Sequence, residues 1–402
     1  MKHLLTIISL FILFAACSKD DDSYETPPEP AQRTVIVYMS GENNLSRYMQ
    51  DDIDEMKKGR RNVSPSENLV VFVDKASSTE MPYIAKVTSN GDLQILYSYP
   101  NDFYSSDPDN MRDVIERAVE ACPAKEYGLV LWGHADGWLI NNDSIATTTS
   151  HRAYGVDNGS NQESLSGKWL NIPSMRESFK LLAFKPWKFI LFDCCNMMNV
   201  ETAYELKDVA EYLIGSPAEI PGNGAPYEQV VPAMFLQTDD FYKDIVNAYA
   251  SAYINRVVLS VVNTSGMKHL AQATKDILSK LNDYVKETAL KNHIYYHAIN
   301  VNGSRKTILH DLREVASKAL DAEDYTIWMD AFEDAVIDSH YSPTWITNGT
   351  VQFSDFTMSK DYWGGLSMFF PMSKYGTATD GVNEKIKQMS WYYAVGWSSL
   401  GW

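Results

Sequence analysis

Short apolar runs and stretches with apolar residues at helical spacing take turns along most of this chain. The runs suit buried strands and the spaced stretches suit amphipathic helices. The pattern predicts strands over 34–39, 69–73, 128–132, 188–192 and 210–215. It predicts helices over 45–58, 108–121, 172–183 and 197–208, with Tyr83–Tyr99 reading as β-like. Such alternation indicates a mostly parallel sheet with helices on both faces. Further helices are expected at 239–254, 266–289, 307–320 and 325–338, and strands near 349–354 and 365–370 are expected to extend the sheet. Residues 139–170 break the order with polar, loop-like sequence.

Two strand ends carry chemistry. Phe189–Phe192 leads into Asp193-Cys194-Cys195 and then into residues spaced for a helix. A thiol between a strand and a helix N-terminus has its thiolate favoured by the helix dipole. Taken alone, the two cysteines read more readily as small buried residues. Gly128–Trp132 ends at Gly133, and the next residue is His134. Ligands and reacting groups gather at the carboxyl ends of parallel strands. If these two strands are neighbours, His134 and a cysteine form a pair in which imidazole holds the thiolate and then protonates a leaving amine. Side chains alternate across a strand, so only one of Cys194 and Cys195 can face His134.

Other features narrow the picture. Lys2 and His3 precede an apolar run from Leu4 to Phe14, which reads as a signal peptide over residues 1–16. Phe14-Ala15-Ala16-Cys17 resembles a bacterial lipobox, which implies cleavage before Cys17 and lipidation of its thiol. Asp20–Asp22 form an acidic run that is similar to a lipoprotein surface-export signal and reads equally as a solvated tether. The expectation is an exported lipoprotein, anchored to a membrane and displayed at the outer-membrane surface. Residues 17–32, with Pro27, Pro28 and Pro30, form the tether, and the folded part begins near Arg33. The chain has 402 residues and a net charge of -17, which argues against nucleic acid as a partner. Four cysteines, one of them Cys17, leave three, too odd a number for a disulfide framework. His293 and His297 are four apart on a predicted helix, but no H-E-x-x-H accompanies them, so no metal ligand is assigned.

Asp193-Cys194-Cys195-Asn196-Met197, followed by Val200-Glu201-Thr202-Ala203-Tyr204-Glu205-Leu206, resembles the Cys segment of the clostripain family of cysteine peptidases, relatives of caspases and gingipains. Val35–Met39 with Asn43-Asn44-Leu45, the His134 segment, Gly215–Gly224 and Gly364–Pro371 resemble its other landmarks. The resemblance implies a caspase-like three-layer αβα sandwich with a mostly parallel sheet and additional C-terminal helices. It implies a peptidase domain over 33–402, with a core at about 33–265 and an extension at about 266–402. The implied activity is a cysteine endopeptidase acting on proteins or peptides after Arg or Lys. The alternative is an inactive surface lipoprotein that binds proteins or peptides. The Asp-x-Cys motif selects Cys195 as nucleophile, with His134 as its partner. Asp193 is the first candidate for the pocket acid, with Glu219 and Asp136 beside it. Backbone amides around Gly133 and Ala135 are candidates for the oxyanion site. Relatives are cut between the His and Cys segments, which marks Arg152 and Lys168 as candidate processing positions. No cofactor is required, although some members use calcium. Two departures stand out: His134-Ala135-Asp136-Gly137 replaces His-Gly-Ser-Gly, and Cys194-Cys195-Asn196-Met197 replaces a small residue, Cys and Leu-Met.

Overall fold

The apolar runs pair side by side, and their alternation divides the interior in two. The computed structural model describes residues 30–402 apart from 141–152, 161, 164–165, 185, 302–303, 348–349, 353–359 and 377–380. Cys17, the signal segment, most of the tether and Arg152 therefore lie outside the described residues. Ala31–Trp402 is one compact unit.

In chain order the first half is β1 (Ala31–Gly41), α1 (Met49–Arg60), β2 (Asn68–Lys75), β3 (Tyr83–Val87), β4 (Leu93–Ser98), α2 (Pro108–Ala121), β5 (Ala124–Trp132), β6 (Tyr154–Asp157), β7 (Lys168–Leu170), α3 (Ile172–Lys180), β8 (Trp187–Asp193), α4 (Val200–Leu206) and β9 (Ala210–Gly215). The second half is α5 (Tyr227–Met234), α6 (Phe241–Ser251), β10 (Leu259–Asn263), α7 (Met267–Asp276), α8 (Leu278–Thr288), β11 (Tyr295–Val301), β12 (Ser304–Asp311), α9 (Leu312–Ala319), α10 (Ala322–Ala335), β13 (Val336–His340), β14 (Trp345–Thr347), β15 (Thr350–Gln352), β16 (Ser367–Met368) and short helices to the C-terminus. Nine strands form one sheet in the order β13-β10-β9-β8-β5-β1-β2-β3-β4. The five central strands, β9 to β2, run parallel, and the outer pairs are antiparallel.

Along β1, Ile36 and Tyr38 pack into one core, and Val35, Val37 and Met39 into the other. Along β8, Ile190, Phe192 and Cys194 join the first core, and Phe189 and Leu191 the second. Both faces are therefore dry, as a parallel sheet requires, and each such aliphatic side chain contributes roughly 1.5–3 kcal/mol by its burial. Gly128 on β5 stands opposite Phe189 on β8, and a Cβ there would lie 2.4 Å from the Phe189 ring. That glycine lets a large ring fill the space over its neighbour. Arg33, buried at the start of β1, donates to Glu126 at 2.9 Å and to the carbonyls of Met234 and Leu236 at 2.7 and 3.0 Å, tying the sheet to the end of α5.

The sequence-based expectations fail mainly in the second half. Residues 304–311 form β12, not the start of a helix, and α9 begins only after Asp311 accepts from Glu314 N. Tyr295–Val301 is its antiparallel partner, with Val301 opposite Ser304. The residues between them read Asn-Gly, a strong hairpin signal. The expected helix over 266–289 breaks at Ile277, and the one over 325–338 gives way to strand at Val336. The late strands do not extend the large sheet: β15 pairs with β14, and β16 with β12. Residues 139–170 are not all loop, since β6 and β7 pair within them. No helix among the described residues is long and apolar enough to cross a membrane.

Glu201 on α4 fastens this C-terminal part. It is fully buried, accepts from Phe369 N at 2.8 Å, and its pKa is raised by burial to about 8. The unfolded chain ionises this group near pH 4.3, so its contribution is complete below that pH and disappears as pH rises through about 8. Urea midpoints at pH 5 and pH 8 should show a smaller loss of stability in Glu201→Gln, which stays neutral, than in the wild type.

Candidate active site

β5 and β8 are neighbours, with Trp132 in register with Asp193, so the residues after each strand emerge side by side. Gly133 holds φ +151 and gives its N–H to Asp193 O at 3.4 Å, which delivers His134 over the strand ends. His134 then joins the β6 ladder: Gly155 N donates to its carbonyl at 2.8 Å, and Asp136 N donates to Ala153 O at 3.0 Å. Ala135, bridging Tyr154, occupies the non-hydrogen-bonded position between those bonds, so this ladder does not use its amide. Gly137, at φ +70, lies against the Cys segment, where a Cβ would sit 2.9 Å from Asn196 O.

On the other strand, Cys194 is fully buried in the first core and Cys195 faces a cleft. All three described cysteines are free. Asn196 takes a left-handed φ of 62° and gives its N–H to Ala218 O, turning the chain away from the strand. The helix begins at Val200, later than expected, and Asn199 Oδ1 takes the Thr202 amide at 2.8 Å. The amide that reaches Cys195 Sγ is therefore not from α4 but Ile220 N, at 3.5 Å, from the loop after β9.

The cleft holds about 400 Å³ and is lined by Leu45, Trp132, Gly133, His134, Ala135, Asp136, Asp193, Cys195, Glu219, Ile220, Pro221, Gly222 and Gly224. Three of these are carboxylates and none is Lys or Arg. Every cleft residue proposed from sequence is thus brought to one place. Asp193 also braces it: Oδ2 accepts from Tyr227 OH at 2.7 Å and Ala225 N at 3.0 Å, and Oδ1 accepts from Tyr249 OH at 3.0 Å. Burial leaves its pKa raised, although these donors lower it in part. It does not cap α4.

Burial also shifts the pair. The His134 pKa falls to about 4 by desolvation, and the Cys195 thiol is pushed well up by desolvation and then by Glu219. Burial thus disfavours the charged form of both groups, which favours thiol beside neutral imidazole. Asn44 Oδ1 lies 2.7 Å from His134 Nε2 and accepts its proton, which leaves Nδ1 as the acceptor nitrogen.

Several neighbours were not foreseen. In the sequence, Asn44 stands out only as part of the Asn43-Asn44-Leu45 segment. His297 lies in β11, not on a helix, and its Nε2 is 4.0 Å from Asp136 Oδ1. Its Nδ1 is 3.4 Å from Asn196 Nδ2, so it stands behind both loops. His293 precedes that strand and meets Tyr284 OH at 2.9 Å, and His310 lies in β12. Lys168 is not a loop residue: it starts β7, partly buried, and pairs with Asp107.

A sequence model of the clostripain family, Peptidase C11, matches residues 37–402. Among solved structures, the chain is similar to a secreted C11 cysteine protease from Bacteroides thetaiotaomicron in complex with an irreversible peptide inhibitor. They share 28% identity and a TM-score of 0.73 over 92% of this chain and 100% of that one. An inactive zymogen C11 protease from Parabacteroides distasonis has the same fold at 24% identity, with a TM-score of 0.75 over 92% of this chain and 99% of that one. A second secreted C11 cysteine protease from Bacteroides thetaiotaomicron shares the fold at 19% identity, with a TM-score of 0.73 over 92% and 100% of the two chains. No curated protein matches.

Alkylation at increasing pH reports on this arrangement. With a raised thiol pKa, iodoacetamide labelling of Cys195 in the native protein should climb about tenfold per pH unit from 7 to 9. Cys194 and Cys122 should stay unlabelled until the protein unfolds. Mass spectrometry of the peptides distinguishes the three, and a rate already flat at pH 7 would instead indicate an ion pair.

Proposed function

Because this chain belongs to the clostripain family and is a cysteine peptidase, we propose that Cys195 and His134 are its catalytic pair and that it cleaves after Arg or Lys. The observation that carries this reading is the shared cleft, in which one thiol and one imidazole meet three carboxylates and no cationic side chain. Asn44 orients the imidazole with Nδ1 open to a proton. Cys195 Sγ attacks the scissile carbonyl carbon while its proton passes to Nδ1. The neutral ring that burial enforces is already the base this step needs. The imidazolium then protonates the leaving amine, leaving a thioester that water hydrolyses. The oxyanion takes a hydrogen bond from the Ala135 amide. The Gly133 amide, turned to Asp193 O, does not serve.

Asp193 and Glu219 attract the basic side chain of the substrate, since charge-assisted hydrogen bonds to carboxylates are strong in a partly dry cleft. Asp136 stands on the His side and meets the chain beyond the scissile bond. Cleavage after Arg152 is the activating event in this reading, with Lys168, held in its strand, the weaker position. The lipobox supports lipidation of Cys17 and display on the outer membrane. Membrane fractionation of a Cys17→Ser protein tests this, and loss from the membrane fraction is the expected result.

Fluorogenic peptides ending in Arg, Lys, Ala or Asp test the chemistry. Turnover of the Arg and Lys peptides should fall to background in Cys195→Ala and by about 10²- to 10⁴-fold in His134→Ala, and should survive in Cys194→Ala. Glu219→Gln should raise KM for the Arg peptide about tenfold and leave the Ala peptide unchanged. No turnover of any peptide, even after nicking of the 141–152 segment, would favour a binding role.

A further inference from the structure

β11 stands outside the large sheet, in the three-stranded sheet β11-β12-β16, yet one of its side chains reaches both loops of the proposed pair. His297 is buried and does not line the cleft. The register between β11 and β12 shifts on both sides of it, between Tyr295 and His297 and again between His297 and Ala298. Irregularities of this kind re-aim a side chain and recur beside active sites. The strand itself is held firmly. Tyr296 OH donates to Asp311 Oδ2 at 2.5 Å, Thr347 Oγ1 donates to Tyr296 O at 3.1 Å, and Trp345 Nε1 donates to Tyr295 O at 3.3 Å.

The contacts of the ring fix its tautomer. Burial lowers the His297 pKa to about 4, so the imidazole is neutral and carries one proton. Nδ1 accepts from Asn196 Nδ2 at 3.4 Å, which leaves the proton on Nε2. Nε2 faces Asp136 Oδ1 at 4.0 Å. That separation is too long for a direct hydrogen bond, and the attraction is electrostatic in poorly screened surroundings. Asp136 and Glu219 are also two of the carboxylates that disfavour the Cys195 thiolate. An N–H behind the wall of the cleft draws Asp136 back against it. Asn196 is the residue after the nucleophile, at a left-handed φ of 62°, which is uncommon outside glycine. Its N–H goes to Ala218 O at 2.9 Å, its carbonyl accepts from Asn199 Nδ2 at 2.9 Å, and its side chain meets His297.

We propose that His297 is a positioning residue for the Cys195–His134 chemistry, holding Asp136 against the cleft wall and Asn196 in its turn so that the two loops keep one relative placement. This role rests on the catalytic pair proposed above. Misplacement of reacting groups by about 1 Å can cost about 10²-fold in rate, so a brace common to both loops bears on turnover without touching substrate. The third wall is tied to the same region. Ile346 of β14 bridges Glu219, and its neighbours Trp345 and Thr347 are the donors to β11. Asp136 and Asn196 are also positions at which the His and Cys segments depart from the clostripain pattern, so the brace is made by residues particular to this chain.

The test compares full-chain His297→Phe, which keeps the packing and loses both polar contacts, with His297→Gln, whose amide can still donate toward Asp136. His297→Phe should lower kcat for the Arg peptide about 10- to 100-fold and leave KM within about twofold. Iodoacetamide labelling of Cys195 at pH 8 should slow several-fold, with Cys194 still unlabelled. His297→Gln should recover most of both losses. Adding Asp136→Asn to His297→Phe should restore the labelling rate, because the released charge is gone. In Cys195→Ala protein carrying 15N-histidine, the His297 signal, assigned by its loss in His297→Gln, should show Nε2 protonated and Nδ1 bare. Unchanged kcat and labelling in His297→Phe would overturn the proposal. So would equal losses in the Phe and Gln variants with Cys194 labelled, which marks lost packing, or a proton on Nδ1. If His297→Phe does not fold, the Gln variant and the tautomer decide. A wild type that hydrolyses no peptide would remove the catalytic pair, while the labelling rates and the tautomer would still decide whether His297 holds the loops.

Discussion

Asp193 is the group on which the cleft depends. It ends the strand that delivers Cys195, and its carboxylate accepts from Ala225 in the loop beyond β9, from Tyr227 on α5 and from Tyr249 on α6. One buried charge thus gathers three separate segments around a strand end. The backbone takes part as well, because Asp193 O receives the Gly133 amide and so fixes where the His134 loop starts. A carboxylate of this kind is costly to bury and is retained only when its acceptors are satisfied. Here the bracing of the site and its negative character come from the same atoms.

That double use has an electrostatic result. Charge is disfavoured on both members of the pair, since His134 is desolvated and Cys195 is near Glu219, Asp136 and Asp193. A cleft that is negative before substrate arrives suppresses its own thiolate. In the proposed reading, a cationic substrate side chain entering the cleft would relieve that suppression.

The site was legible in the sequence because strand ends and alternation are local signals. Gly133-His134 and Asp193–Cys195 each follow an apolar run, and opposite orientation of Cys194 and Cys195 follows from the pleat alone. What was not legible depends on partners distant in sequence. Asn44 reaches His134 across ninety positions, and Tyr227, on a helix the pattern does not predict, and Tyr249, on one it does, reach Asp193 from far along the chain. α5 carries Pro232 inside it, which obscured its helical character. His297 lies on β11 because the Asn302-Gly303 dipeptide is a hairpin signal, which the helical spacing further on masks.

The pairing of β5 with β8 separates covalent order from spatial order. Trp132 and Asp193 are in register through hydrogen bonds between adjacent parallel strands, and the chain that joins them takes a long detour through β6, β7 and α3. The distance between the two strand ends is therefore set by the ladder and not by the tether. Among the described residues, the nine-stranded sheet takes no strand from the segment between β5 and β8. The length of the connecting segment is thus free to vary at little entropic cost.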